Sequence, residues 1–276
     1  MLTHTFRHVR GIGPSLESAL WARGVRGWDD VGPDRPEALT PARFAAVGEE
    51  LARSRSEVKK RNARYFQDLL PSRDDWRLFG EFRGETAYLD IETTGLEPEW
   101  NEITTVALYD GKTVMTFVSG IDLEGLPAAL ADYRMIVTYN GRCFDVPFIE
   151  KAFRIGVGHA HLDLRYILKR LGYSGGLKGC ERKLGVGRKG VEDVDGFMAV
   201  LLWQEYRRGN RKALDTLLAY NAADAVNLEA LMVKAYNMCL ADTPFREETL
   251  PAPREACIPF EPDPQTLRRL QASMPW

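Results

Sequence analysis

Asp90 and Glu92 stand two residues apart in "TAYLDIETTGL", a run whose β-branched and apolar residues read as a strand. That spacing puts both carboxylates on one face, just before Thr93-Thr94-Gly95. An ionised carboxylate among apolar groups is strongly disfavoured unless positive charge compensates it. Either the strand ends in solvent there, or the pair is offered to a cation. In open α/β sheets the carboxyl end of a strand is where sites collect.

Two further acids raise the same choice. Asp145, in "TYNGRCFDVPFIEKAF", either caps the helix expected to begin near Pro147 or joins the first pair. Tyr220 and Asp224, in "LDTLLAYNAADAVNLEALM", are four apart and stack on one helix face. Capping accounts poorly for an Asp inside an apolar helix, unless Asn221 and the alanines mark a break with Asp224 at the new start. Brought into one pocket, four carboxylates repel and raise one another's pKa values, and two divalent cations relieve that repulsion. All-oxygen ligation suits Mg²⁺ or Mn²⁺ and not zinc. Paired ions of that kind activate a water and stabilise the leaving oxygen in phosphodiester hydrolysis. The Tyr220 hydroxyl, one turn from Asp224, is placed to hold that water.

The elements that must position these residues follow from pattern. "TAYLDIE", "NEITTVALYDG", "KTVMTFVSG" and "MIVTYNG" predict four strands, with Asp110-Gly111 as a hairpin turn and a fifth short strand near 159–162. Helices are predicted over roughly 145–155, 163–171, 196–208 and 212–240. Three meandering strands followed by strand–helix alternation imply an α/β fold, a mixed sheet flanked by helices. Two more helices are predicted within 40–70, and 71–85 reads as a connector. At the N-terminus, "HVRGIGPSLESALWARGVRG" reads either as a plain αα-hairpin or as a helix-hairpin-helix whose Gly11 and Gly13 backbone grips a phosphate, with Arg7, Arg10, Arg23 and Arg26 nearby. Beyond Asp242 the chain is rich in proline and reads as an extended tail that either packs on the body or stays mobile. The expected division is therefore 1–80 helical, 81–241 α/β, and 242–276 tail.

Composition narrows the class. A formal net charge of -2 over 276 residues advertises no polyanion partner, so any basic surface must be local. Cys143, Cys180, Cys239 and Cys257 contain no C-x-x-C pair, which suggests reduced thiols and a cytoplasmic protein rather than a disulfide framework or zinc site. No signal-peptide-like segment or membrane-length apolar run is apparent, so no membrane association is expected.

The three acidic stretches together resemble the DEDD superfamily of 3′–5′ exonucleases, which have a ribonuclease H-like fold. "DIETTGL" is similar to its first motif, "YNGRCFDVPF" to its second and "YNAAD" to its third. The tyrosine four residues before the last Asp resembles the DEDDy branch, as in proofreading domains of family B polymerases. "GIGPSLESALW", "HLDLRYILKRLGYSGGLKGCERKLGVGR" and "DVDGFMAVLLW" extend the resemblance to the bacterial YprB-like family, over residues 5 to about 240. The resemblance implies a two-metal 3′–5′ exonuclease acting on nucleic acid, on single-stranded 3′ ends because that pocket accepts a frayed terminus. By it Asp90, Glu92, Asp145 and Asp224 are metal ligands and Tyr220 orients the attacking water. Thr93, Thr94 and Leu96 would pack on the terminal nucleotide, while Asn140 and Phe144 would shape the pocket.

Residues 151–190 hold ten Lys/Arg against Asp163 and Glu181 alone, a local basic surface that suits a phosphate-tracking groove. Lys178, Arg182 and Lys183 are its candidate contacts. Two other clusters read as structural. His159, His161 and Asp163 suit a short strand followed by an Asp cap, and Asp195 suits a helix cap, with Asp193 as surface charge. Two other readings stay open: an accessory nucleic-acid-binding module of a helicase or repair assembly, and a structure-specific endonuclease. A pure binder has no need of clustered acids facing a phosphate.

Overall fold

The computed structural model describes residues 1–187, 190–191 and 194–273. Arg188, Lys189 and Asp193 of the sequence reading lie outside the described residues. Five strands form one sheet: β1 (Thr86–Thr93), β2 (Ile103–Tyr109), β3 (Val114–Val118), β4 (Met135–Thr138) and β5 (Ala160–Asp163). Their order is β3-β2-β1-β4-β5. β1 to β3 meander antiparallel, and β4 and β5 add in parallel on the other side of β1. The β2–β3 turn is set by Asp110, whose carboxylate accepts from the N–H groups of Lys112 and Thr113.

The helices are α1 (Pro14–Ala22), α2 (Pro41–Lys59), α3 (Ala63–Leu69), α4 (Phe79–Phe82), α5 (Leu126–Leu130), α6 (Asp145–Phe153), α7 (Leu164–Arg170), α8 (Gly176–Leu184), α9 (Gly196–Arg207), α10 (Arg211–Ala241) and α11 (Pro264–Ser273). Strand alternation assigns the two sheet faces. Ala87, Leu89 and Ile91 pack with α5 and α6 through Leu126, Leu130, Phe148 and Ile149. Tyr88 faces α10, whose Ala222, Ala225, Leu228 and Leu231 bury it. Asp90 and Glu92 continue that second face, so the sheet aims them at α10. At about 46 Å, α10 reaches well across the sheet.

Three expectations are corrected. No α-helix precedes the Gly11–Gly13 turn; Leu2–His4 make a single 3₁₀ turn and the chain then bends. The polar groups there bond outward instead of along a helix. The Phe6 N–H and Thr5 hydroxyl donate to buried Glu17, and the Arg7 guanidinium donates to Asp74 (3.0 Å) and to the Ile12 carbonyl (2.8 Å). Residues 71–85 are not a bare connector but short helical turns that bury Trp76, Leu78, Phe79 and Phe82. The proline-rich segment is not extended throughout but carries α11; it packs on the body, one of the two expected outcomes, with Phe245 and Leu270 buried.

The N-terminal helices share a continuous apolar cluster with the α10 face of the sheet, running from Leu2, Leu20 and Phe66 to Tyr88 and Leu228. They also close the β5 edge. The Gln67 side chain of α3 donates to the His161 carbonyl and accepts from its N–H, both at 2.8 Å, as a neighbouring strand would. No helix among the described residues is long and apolar enough to cross a membrane.

Candidate active site

Oxygens of Asp90, Glu92 and Asp224 lie within 4.8 Å of one another at the carboxyl end of β1. Asp224 is buried on α10, Glu92 is buried and Asp90 half-buried on β1. A shift in the β1–β2 register between Glu92 and Thr93 ends regular pairing immediately beyond the acids. Asn221 fixes the geometry between elements. Its amide donates to the Asp90 carboxylate (2.7 Å) and carbonyl (3.1 Å), while its oxygen accepts from the Thr105 hydroxyl (3.0 Å). One side chain therefore ties α10 to β1 and β2 beside the acids. The sequence reading treated Asn221 only as a possible helix break; its spacing, three residues before Asp224 on one helix face, was the available signal.

Asp145 is the first residue of α6; the N-cap position is Phe144, whose side chain makes no cap hydrogen bond. Its carboxyl lies on the flank of the cluster. Burial pushes its pKa up to about 7, against the pull of its own and the Ile91 N–H groups, with Asp163 and Asp224 adding repulsion. The Asp90 carboxyl is held well above the ordinary carboxylate range, first by burial and then by Asp224, Glu92 and Asp145. Such crowding of buried acids is unfavourable for an all-protein environment and is relieved by a cation. The donor set is purely carboxylate oxygen, which fits a hard divalent ion.

The loop into Asp145 is built by close packing. A Cβ on Gly141 would overlap the Thr138 side chain, so only glycine fits where β4 turns. Asp163 then pins the loop: its carboxylate accepts from the N–H groups of Asn140 (2.8 Å), Arg142 (3.1 Å) and, as the α7 cap, Arg165 (3.0 Å). The Asn140 side chain accepts from Arg165, and its backbone takes φ +68°. The Phe144 ring packs on Phe148 at 5.0 Å. His161 hydrogen-bonds Thr138 at 2.8 Å, and Asp195 caps α9 by accepting from Met198, so both remain structural.

Tyr220 is buried one turn before Asp224, and the Lys178 ammonium sits 5.5 Å from its ring centroid. Of the other proposed cations, Lys183 donates to the Ser174 carbonyl, locking the start of α8, while Arg182 is exposed. Thr93 donates to the Gly95 carbonyl (2.5 Å), and Thr94 and Asn101 interlock across the β1–β2 loop. That loop presents Leu96, 81% exposed, and Trp100, 83% exposed. Trp100 was not singled out from sequence, since one tryptophan in a polar loop carries no spacing signal. Gly11 (φ +87°) and Gly13 form the turn into α1.

A mixed sheet of this order with acids at the end of its central strand and on a long crossing helix defines a ribonuclease H-like α/β protein. A family model described as the RNase_H superfamily matches residues 87–236, and the chain belongs to that superfamily. No curated protein matches the sequence significantly. Among solved structures, the family B DNA polymerase from the hyperthermophilic archaeon Pyrobaculum calidifontis is similar, with 17% identity and a TM-score of 0.46. That match covers 59% of this chain and 26% of the polymerase, so it spans about a quarter of the larger protein.

Proposed function

We propose that the protein is a two-metal-dependent 3′–5′ exonuclease that hydrolyses the terminal phosphodiester of single-stranded nucleic acid. The observation that carries this reading is the Asp90–Glu92–Asp224 cluster, three mutually repelling carboxylates, two buried and one half-buried, with oxygens within 4.8 Å of one another. Asp90, Glu92, Asp224 and the flanking Asp145 would hold Mg²⁺ or Mn²⁺. Bound there, the ions supply an activated water and charge stabilisation at the leaving oxygen.

The chain's own residues have separable tasks. Tyr220 orients the attacking water through its hydroxyl. Lys178, beside the Tyr220 ring, adds positive charge where the attacked phosphate sits. Thr93, Thr94 and the exposed Leu96 contact the terminal nucleotide, with Asn140 and Phe144 framing the pocket. Attack at phosphorus breaks its bond to the 3′ oxygen of the preceding nucleotide. That oxygen takes up a proton and remains as the new 3′ hydroxyl, and a nucleoside 5′-monophosphate leaves. Gly11 and Gly13 are assigned a secondary phosphate contact by the α1 N-terminus.

Linear and circular single strands of the same sequence test the reading. With Mn²⁺, the linear strand is shortened one nucleotide at a time from its 3′ end and the circle survives. Cutting of the circle would replace the exonuclease with an endonuclease.

A further inference from the structure

A chain of three cavities runs along the seam between the N-terminal helices and the β5 edge of the sheet. Their volumes are 600, 340 and 500 Å³. The first and second share Ser72, Asp75 and Arg142 as walls, and the second and third share Arg64 and His159. They therefore form one groove. It starts beside the proposed active site, because Arg142 belongs to the loop that leads into Asp145, and Val146 lines the second cavity.

The groove's charge is one-sided. Its walls carry seven Lys/Arg against Asp68, Asp75 and Asp163, although Lys60 pairs with Glu57 and Arg61 with Glu81 and Glu85 just outside the walls. Asp163 is buried and taken up by three backbone N–H groups, and Asp75 is buried against Arg142 (3.1 Å) and Gln67 (3.3 Å). Asp68 pairs with Arg64 at 2.7 Å. By contrast Lys169 and Arg134 are exposed and make no ion pair with a described residue, while exposed Arg170 donates to the Ser72 carbonyl (3.3 Å) and lies close enough to Asp75 to favour its charged form. On α7, Tyr166 lies three and four residues before Lys169 and Arg170, so a half-exposed aromatic ring shares one helix face with two cations. An aromatic plate interleaved with cations along a narrow groove matches what an unpaired strand offers, a base to stack and phosphates to neutralise. A duplex offers no free base face to Tyr166.

From this arrangement we infer that the seam groove is a second binding site, for the phosphate backbone and unpaired bases of the single strand whose 3′ end enters the active site. The inference rests on the exonuclease reading for where the strand begins. It gives the N-terminal helices a task beyond covering the β5 edge: they form one wall of the track. It also moves the main phosphate contacts away from α8, where Lys183 is tied to Ser174, to α7 and Arg134.

The test measures binding of 5′-labelled single strands by fluorescence anisotropy in chelator, where no cleavage occurs, across a range of salt. The protein is the whole 276-residue chain, as wild type and as the Lys169→Ala/Arg170→Ala/Arg134→Ala variant. Three lost phosphate contacts should reduce the slope of log affinity against log salt by about 2 and weaken a long strand on the order of tenfold or more. A strand too short to leave the active site should lose less. Tyr166→Ala should weaken the long strand on the order of tenfold, and Tyr166→Phe should restore most of it. Unchanged slope and long-strand affinity in the triple variant would overturn the groove. If the groove responds as expected but added metal produces no cleavage, the groove stands and the exonuclease reading falls. A wild-type protein that binds no strand overturns both.

Discussion

His8 offers a sharp test of the packing within the N-terminal helices. It is 3% exposed, against the rings of Trp28 (5.3 Å) and Phe66 (6.0 Å), and neither ring nitrogen has a hydrogen-bond partner among the described residues. Burial, with a smaller push from Arg77, lowers its pKa from 6.5 to about 4. Between those values the unfolded chain binds a proton that the folded protein does not. Stability is therefore complete above pH 6.5 and falls as pH drops toward 4. At ~1.4 kcal/mol per pH unit, the full loss is ~3 kcal/mol, of which ~2 kcal/mol is reached by about pH 5. His8→Leu keeps similar volume and removes both unpartnered nitrogens. It should gain roughly 1–3 kcal/mol at about pH 8 and abolish the ~2 kcal/mol penalty at about pH 5. Urea unfolding of both proteins at the two pH values measures this. Taking the difference between proteins cancels His161, Asp75 and Asp145, which titrate in each. A variant that loses as much stability as wild type between the two pH values would refute the reasoning.

Three further outcomes follow from the site and its supports. Tyr220→Phe should lower the cleavage rate ~10- to 100-fold, as expected for one lost hydrogen bond of ~1–3 kcal/mol to the reacting water, while Mn²⁺ still raises the melting temperature. Gly141→Ala forces a Cβ into the Thr138 side chain; a loss of roughly 1–3 kcal/mol in denaturant unfolding is expected, together with reduced cleavage as the Asp145 loop shifts. Gln67→Ala strands the His161 N–H at the sheet edge, while the His161 carbonyl keeps only its bond from Arg142 (2.9 Å). It should lose roughly 1–3 kcal/mol and show concentration-dependent self-association by light scattering, since the edge is then open.

Much of the site was legible because its signals are local. The strand holding Asp90 and Glu92, the Asp110-Gly111 turn and the Asp163 and Asp195 caps all depend on residues a few positions apart. The convergence of β1 with α10 was legible only as a combination, because Asp224 has no local reason to be buried in an apolar helix. What escaped depends on distant partners. No helix is predicted over "GYSGGLKGCERKLGVG", yet Gly176–Leu184 is helical; buried Cys180 and partly buried Leu177 and Leu184 pack into the main apolar cluster. Tertiary burial there outweighs the ~1 kcal/mol helix penalty of each glycine. The buried Arg7–Asp74 and Arg77–Glu17 pairs, at 3.0 and 2.8 Å, join residues some sixty positions apart, and no pattern in either segment announces them. The basic stretch 151–190 was visible as charge, but its division between structural ties and open groove was not. Lys183 is tied to the Ser174 carbonyl (2.8 Å), whereas Lys169 and, more loosely held at the Ser72 carbonyl (3.3 Å), Arg170 line the groove.

The most direct measurement is a time course on 5′-labelled single-stranded DNA and RNA of one sequence, with Mn²⁺, with Mg²⁺ and with chelator, beside Asp224→Asn. The account requires a ladder that shortens from the 3′ end only with metal and only in the wild-type protein. It further requires that Asp224→Asn, which removes one charge from a crowded cluster, be no less stable than wild type in chelator. Full activity in Asp224→Asn, or cleavage undiminished by chelator, would contradict the assignment of the carboxylate cluster to metal and to catalysis.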